Sequence, residues 1–207
     1  MFCVELSASD FKRIVSETLH NRKRVELSGS RRIPSAVMMV FYERDGRLWL
    51  LLTRRTDRVA HHKNQISFPG GCRDPEDRTL LRTALRECDE EIGLNSASIE
   101  ILGTLDDAET ATSNFVITPY VAFLKELPQL VLCEEEVAGL VELPIAAMFD
   151  PQNPQEVPLT ANGEHGLVMA YCYEGYIVWG ATAGLIKQFV DLMRPSFAQY
   201  RLTPAAN

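Results

Sequence analysis

Apolar and polar positions alternate along this chain in two rhythms. From Ser7 to about His20, Phe11, Ile14, Val15 and Leu19 recur at helical spacing, with Ser7 or Ser9 placed to cap the first turn. Ser35 to Tyr42 and Arg47 to Thr53 are apolar runs of strand length. The turn Arg44-Asp45-Gly46 between them predicts a hairpin. Ile99 to Leu105, Val116 to Leu124 and Val137 to Val141 read as further strands, and Pro144 to Phe149 as a short helix. Asp150 to Gly166, rich in Pro and Asn, reads as a loop. Leu167 to Tyr173 and Tyr176 to Trp179 read as late strands, and Ala181 to Met193 as a C-terminal helix. Strands interspersed irregularly with helices predict a mixed α/β fold.

One segment breaks from simple patterning. Phe68 to Leu94 begins with a Phe-Pro-Gly-Gly turn and runs into a helix ending Arg86-Glu87-Cys88-Asp89-Glu90-Glu91-Ile92-Gly93. At about 100° per residue, Leu81, Ala84, Leu85, Cys88 and Ile92 form one stripe. Glu87, Glu90 and Glu91 share an arc of about 100° on another side. The helix is expected to bury the stripe and hold its glutamates outward, toward a cleft or solvent. Asp77 or Thr79 would cap its start, and Gly93 suits the left-handed residue that ends it. Carboxylates crowded at i, i+3 and i+4 repel one another by a few tenths of a kcal/mol per pair. A divalent cation removes that repulsion, and an all-oxygen donor set suits Mg²⁺ or Mn²⁺. The alternative is an ordinary solvated acidic helix end.

The bulk properties narrow the setting. The 207 residues are 46% hydrophobic and 24% charged, which suits one globular domain with a full core. A net charge of -7 makes a nucleic-acid or membrane-surface partner a poor expectation. An anionic small molecule would need local help from metal and arginine. Cys3, Cys72, Cys88, Cys133 and Cys172 are odd in number and scattered, so neither zinc nor a disulfide framework is expected. No signal-peptide pattern stands at the N-terminus, and no apolar run approaches the ~20 residues that span a bilayer. A reduced, cytoplasmic enzyme fits these features, and a two-fold homodimer is the default from general frequency.

The Gly71 to Leu94 segment resembles the Nudix box, the signature of hydrolases acting on nucleoside diphosphates linked to another group. Arg86, Glu87, Glu90, Glu91, Gly93 and Leu94 match its second half, with Cys88 at an aliphatic position. The first half departs. Asp77 stands where the family has glutamate, and one residue is inserted between it and Arg86. The acid that would steady the arginine is thus a shorter one or none. The resemblance implies an α/β/α sandwich over 34–195, with residues 1–33 packed on it as helix and connector and 196–207 as a tail. It implies Glu87 and Glu91 as metal ligands. Glu90 would serve a second metal or a bridging water, and Arg86 would orient the glutamates. Glu90 or Glu136 would take the proton from the attacking water. For Glu134-Glu135-Glu136 a solvated acidic turn is the alternative.

A second resemblance lies upstream. Leu51-Leu52-Thr53-Arg54-Arg55-Thr56 and Phe68-Pro69-Gly70-Gly71 are similar to the extended motif of Nudix hydrolases that cleave coenzyme A. The Asp74-Pro75 loop and Trp179-Gly180-Ala181-Thr182-Ala183 resemble that subgroup as well. Arg54 and Arg55 are candidate phosphate contacts, with a solvated loop arginine as the alternative for Arg55. Gly70 and Gly71 would let a phosphate approach the backbone. Two positions depart: Ala60 replaces the subgroup's arginine and Asn64 its glycine, with Arg58, His61, His62 and Lys63 nearby. The substrate implied is a small nucleoside diphosphate derivative, coenzyme A or acyl-CoA first. ADP-ribose or a nucleotide sugar is the alternative, and a non-catalytic ligand-sensing module the third reading.

Overall fold

The computed structural model describes residues 4–27, 29, 31–58, 64–110, 113–161 and 164–202. In chain order the elements are β1 (Val4–Glu5), α1 (Ala8–His20), β2 (Ile33–Arg44), β3 (Arg47–Arg55), β4 (Ile66–Ser67) and β5 (Gly70–Cys72). Then come α2 (Leu80–Ile92), a 3-10 turn at Ser96–Ser98, β6 (Ile99–Thr104), β7 (Ala108–Glu109), β8 (Phe115–Leu124) and β9 (Val137–Pro144). The last part holds α3 (Ile145–Phe149), β10 (Gln155–Ala161), β11 (Glu164–Tyr173), β12 (Tyr176–Val178), α4 (Gly180–Phe197) and β13 (Tyr200–Arg201). Among the described residues no helix is long and apolar enough to cross a membrane. Cys72, Cys88, Cys133 and Cys172 are free thiols.

The main sheet is mixed, in the order β4-β3-β2-β8-β6, with β5 on β2, β7 on β8 and β9 on β3. β2 and β8 run parallel, and the other pairs are antiparallel. Side chains alternate across a strand, so each strand feeds two cores. Met39, Phe41, Leu50, Leu52, Val121 and Phe123 face α1 and α4, meeting Phe11, Val15, Ile186 and Phe189. Ala36, Met38, Val40, Leu51, Ala122 and Leu124 face α2, meeting Ala84, Cys88 and Ile92. The Phe11 and Phe189 rings each lie 4.9 Å from that of Phe41. The result is the mixed α/β fold that the patterning predicts, in the α/β/α sandwich form that the resemblance implies. At the periphery β1 pairs in parallel with β13.

Local signals explain the element ends. Ser7 caps α1 by accepting from the Asp10 N–H, and the buried face is Phe11, Ile14, Val15 and Leu19. The β2–β3 hairpin turns on Asp45 and Gly46, both at positive φ (53° and 69°), as a tight primed turn requires. The stretch expected as a loop over 150–166 instead supplies β10 and the first residues of β11, which with the expected late strands complete a second, three-stranded sheet, β10-β11-β12. Its Pro and Asn content made that segment read as loop, yet among the described residues β10 pairs with β11 alone, and an edge strand tolerates a proline such as Pro158. α4 also continues past Met193 to Phe197, with Met193 and Phe197 buried and Pro195 inside the helix.

Candidate active site

The site is assembled where the start of β2 meets the glycine turn. Ser35, Ala36 and Val37 pair with Cys72, Gly71 and Gly70. Gly70 sits at φ 154°, and a Cβ there would press on the Ala36 carbonyl and lie 2.7 Å from the Val37 Cα. Gly71 is required for another reason, since a Cβ on it would lie 2.6 Å from the Glu87 carboxyl carbon. The glycine pair therefore leaves room for a carboxylate to lie against the strand.

α2 delivers the acids. Thr79, rather than Asp77, caps its start by accepting from the Arg82 N–H, and Gly93 ends it at φ 67°. The carbonyls of Glu91 and Ile92 accept from the N–H groups of Cys133 (2.9 Å) and Val131 (3.1 Å). Those bonds satisfy helix-end acceptors that would otherwise lack partners, and they bring the 131–136 segment to the site. Thr56, buried at the end of β3, anchors the same segment: its hydroxyl donates to the Glu135 carbonyl (2.7 Å), and its N–H to that of Glu136 (2.9 Å). In the sequence Thr56 stood only as the end of the extended motif, and its anchoring role had no local signal.

The glutamates do not all point outward, which corrects the helical-wheel expectation. The Glu90 side chain is 58% exposed, that of Glu87 14%, and that of Glu91 only 3%. Glu91 is drawn under the Gly70 N–H (3.4 Å) and lies 3.6 Å from Arg55 Nη1. Leu81 and Leu85, expected in the buried stripe, are half-buried, and Thr83 is buried instead. Burial, followed by repulsion from Glu87, pushes the Glu91 carboxyl up to about 8 despite Arg55. Burial also raises Glu87, with Arg86 opposing and Glu90 and Glu136 adding repulsion. Glu136 is exposed, yet its charge reaches both Glu87 and Glu91.

Arg86 organises the cluster. Its Nη1 donates to Glu90 Oε2 (2.7 Å) and lies 2.9 Å from Glu87 Oε1. Its Nε and Nη2 donate to Asp77 Oδ2 (3.2 and 3.0 Å), and Nη2 also to the Cys72 carbonyl (3.0 Å). The acid that grips the arginine is thus present, as the shorter Asp77, itself 3% exposed. Burial opposes its charge, but the Arg86 bond and the Asp74 N–H hold it below the usual carboxylate range.

Arg55 is brought to this cluster. Arg54 is exposed, and among the described residues no ion pair joins it to α2. Ala60, His61, His62 and Lys63 lie outside the described residues. Asn64 adopts φ 58°, the left-handed conformation that glycine supplies most readily and asparagine tolerates. Among the described residues no three acidic, histidine or cysteine side chains form a finished metal cage. Arg86 holds Glu87 and Glu90 on one side while Glu91 turns toward Arg55. The donor chemistry nonetheless fits a hard divalent cation. Burial raises the proton affinity of both Glu87 and Glu91, with Glu87 adding repulsion at Glu91, beside a glycine that leaves space, and a cation would remove that cost.

Comparison with known proteins agrees with this geometry. The NUDIX domain family model matches residues 32–162. An uncharacterized Nudix hydrolase NudL of Yersinia enterocolitica is 36% identical over 142 residues, covering 69% of this chain and 72% of its own. One from Citrobacter koseri is 33% identical over 153 residues, covering 74% and 79%. Among solved structures, a MutT/nudix family protein from Enterococcus faecalis matches with TM-score 0.57 at 15% identity, over 94% of this chain and 77% of its own. The NUDIX domain of Shewanella oneidensis NrtR, complexed with ADP ribose, matches with TM-score 0.51 at 18% identity, over 88% and 97%. At these identities the structures show a shared fold. The family match and the relatives above 30% identity show more: this chain belongs to the Nudix hydrolases and acts on a diphosphate compound.

Proposed function

We propose that the chain hydrolyses the diphosphate of coenzyme A or an acyl-CoA, giving adenosine 3',5'-bisphosphate and the (acyl-)4'-phosphopantetheine. Nudix hydrolases generally use divalent metal ions. Here Glu87, Glu90 and Glu91 would hold them, whether Mg²⁺ or Mn²⁺. The bound metal would offset diphosphate charge and lower the pKa of an attacking water. The observation that carries this is Glu91, a carboxylate buried beside the Gly70-Gly71 turn and facing a single arginine at 3.6 Å.

The chain's own groups divide the remaining work. Arg86, fixed by Asp77, positions Glu87 and Glu90. Arg55 restrains Glu91 and stands ready for a phosphate oxygen, while the glycine turn lets the phosphate approach the backbone. Glu90 and Glu136 are the exposed carboxylates able to take the proton of the attacking water. Phosphoryl transfer of this kind depends mostly on positioning and charge stabilisation, which this set supplies.

Two findings support coenzyme A in particular. The segments that resemble that subgroup meet in space: β12, leading into Trp179-Gly180, packs against β4, leading into Phe68 to Gly71. Asn64 adopts a left-handed conformation at φ 58°, one open to a glycine without strain. Ala60 favours the second reading, another nucleoside diphosphate derivative such as ADP-ribose. A panel with Mn²⁺ decides between them. Faster cleavage of coenzyme A or acyl-CoA than of ADP-ribose or nucleotide sugars is expected, and much faster cleavage of ADP-ribose overturns the choice.

A further inference from the structure

A cavity of about 760 Å³ opens beside the acidic helix, between the end of β3 and the segment that caps α2. It is lined by Thr56, Asn64, Val131, Leu132, Val137 and Ala138 together with the charged Asp57, Arg58 and Glu134. Its size falls in the range of small-molecule sites, which combine an apolar lining with a few polar groups.

Three features tie the cavity to the chemistry. The 131–138 wall is the segment whose N–H groups bond the carbonyls of Glu91 and Ile92, so it lies against the turn of α2 that carries the buried glutamate. Thr56 lines the cavity and also anchors the carbonyls of Glu135 and Glu136. Ala138 sits where the β3–β9 register shifts between Arg54 and Arg55, a bulge that turns the start of β9 away from the ladder. Within this mixed lining Val131, Leu132, Val137 and Ala138 form an apolar strip, and Val131 is 72% exposed.

From these we infer that the cavity receives the uncharged amide-and-thiol arm of the substrate, the part beyond the diphosphate. Anionic groups would be held at the glycine turn and α2, while Val131, Leu132, Val137 and Ala138 cover the methylenes of the arm. The Thr56 hydroxyl donates to the Glu135 carbonyl and can still accept, and Asn64 can both donate to and accept from an amide of the arm. This rests on the coenzyme A reading of the same site.

Pantetheine, which carries the arm and no phosphate, is the probe. It should inhibit coenzyme A hydrolysis by the wild-type protein competitively. Val131→Asp and Ala138→Asp should each weaken that inhibition at least fivefold, and Val131→Ala much less. Both side chains are exposed, and circular dichroism will show whether each variant is folded. If the wild-type protein cleaves coenzyme A but pantetheine does not inhibit, or inhibits the aspartate variants equally, the cavity assignment is overturned. If the wild-type protein does not cleave coenzyme A, the substrate reading falls and the assignment with it.

Discussion

At the residue scale, Asp77 and Glu91 carry the most information. Asp77 is buried against Arg86, whose charge Glu87 and Glu90 also neutralise. Asp77→Asn should therefore cost only about 1–2 kcal/mol in chemical denaturation, as a weakened charged hydrogen bond does. It should also lower kcat, because Arg86 then loses the anchor from which it holds Glu87 and Glu90. Glu91 makes metal-free stability depend on pH. Its folded-state proton affinity is raised from the ordinary 4.5 to about 8. Below 4.5 the group is protonated in both states and costs folding nothing. Between 4.5 and 8 the unfolded chain gives up its proton while the folded one keeps it, so stability falls as pH rises. Thermal melts with chelator should show Tm declining over that window. Glu91→Gln, or saturating Mn²⁺, should flatten the decline; an unchanged slope in Glu91→Gln would contradict the burial argument. The helical wheel placed Glu91 on the right side of α2 but could not register its burial. That burial comes from Gly70 and Arg55, brought in by strands distant in sequence.

At the element scale, adjacent glycines in β5 should fail in different ways. Gly70→Ala combines a positive φ with a collision against the backbone of β2, so loss of stability by about 2 kcal/mol or more is expected. Gly71→Ala meets only the movable Glu87 carboxylate. It should fold with near-normal Tm yet lose at least roughly tenfold in kcat/KM, because the proposed metal ligand Glu87 would be displaced. Equal loss of stability in both would show that Glu87 does not lie against Gly71. Legibility at this scale followed the strength of local signals. α1, the β2–β3 hairpin and α2 were readable because period, cap and turn residues agree in each. β10 was not, because Pro158 and Pro154 outweighed a short alternation whose partner, among the described residues, is β11 alone. Asp77 stood out as the substituted acid, but whether its shorter side chain reaches Arg86 depended on how the inserted loop folds back.

At the scale of the whole molecule, one sheet separates two kinds of task. One face carries an aromatic core in which Phe11, Phe41, Phe149, Phe189 and Phe197 interlock, and the other presents α2 and its acids. Phe189→Ala should cost about 3–5 kcal/mol of stability, read by denaturant melts, while kcat of the remaining folded protein stays close to normal. This division also explains why the family and its chemistry were legible in the chain while the substrate was less so. The metal-side residues sit on one helix, whereas the cavity wall draws on Thr56, Asn64 and 131–138, segments that meet only through the fold. The most direct test of the central claim is turnover of coenzyme A by Glu91→Gln against the wild-type protein at saturating Mn²⁺. With chelator the variant should keep a Tm equal to or above that of the wild-type protein, while at saturating Mn²⁺ its kcat should fall by roughly 10²-fold or more. Undiminished turnover by Glu91→Gln would contradict the assignment of α2 as the metal-binding helix.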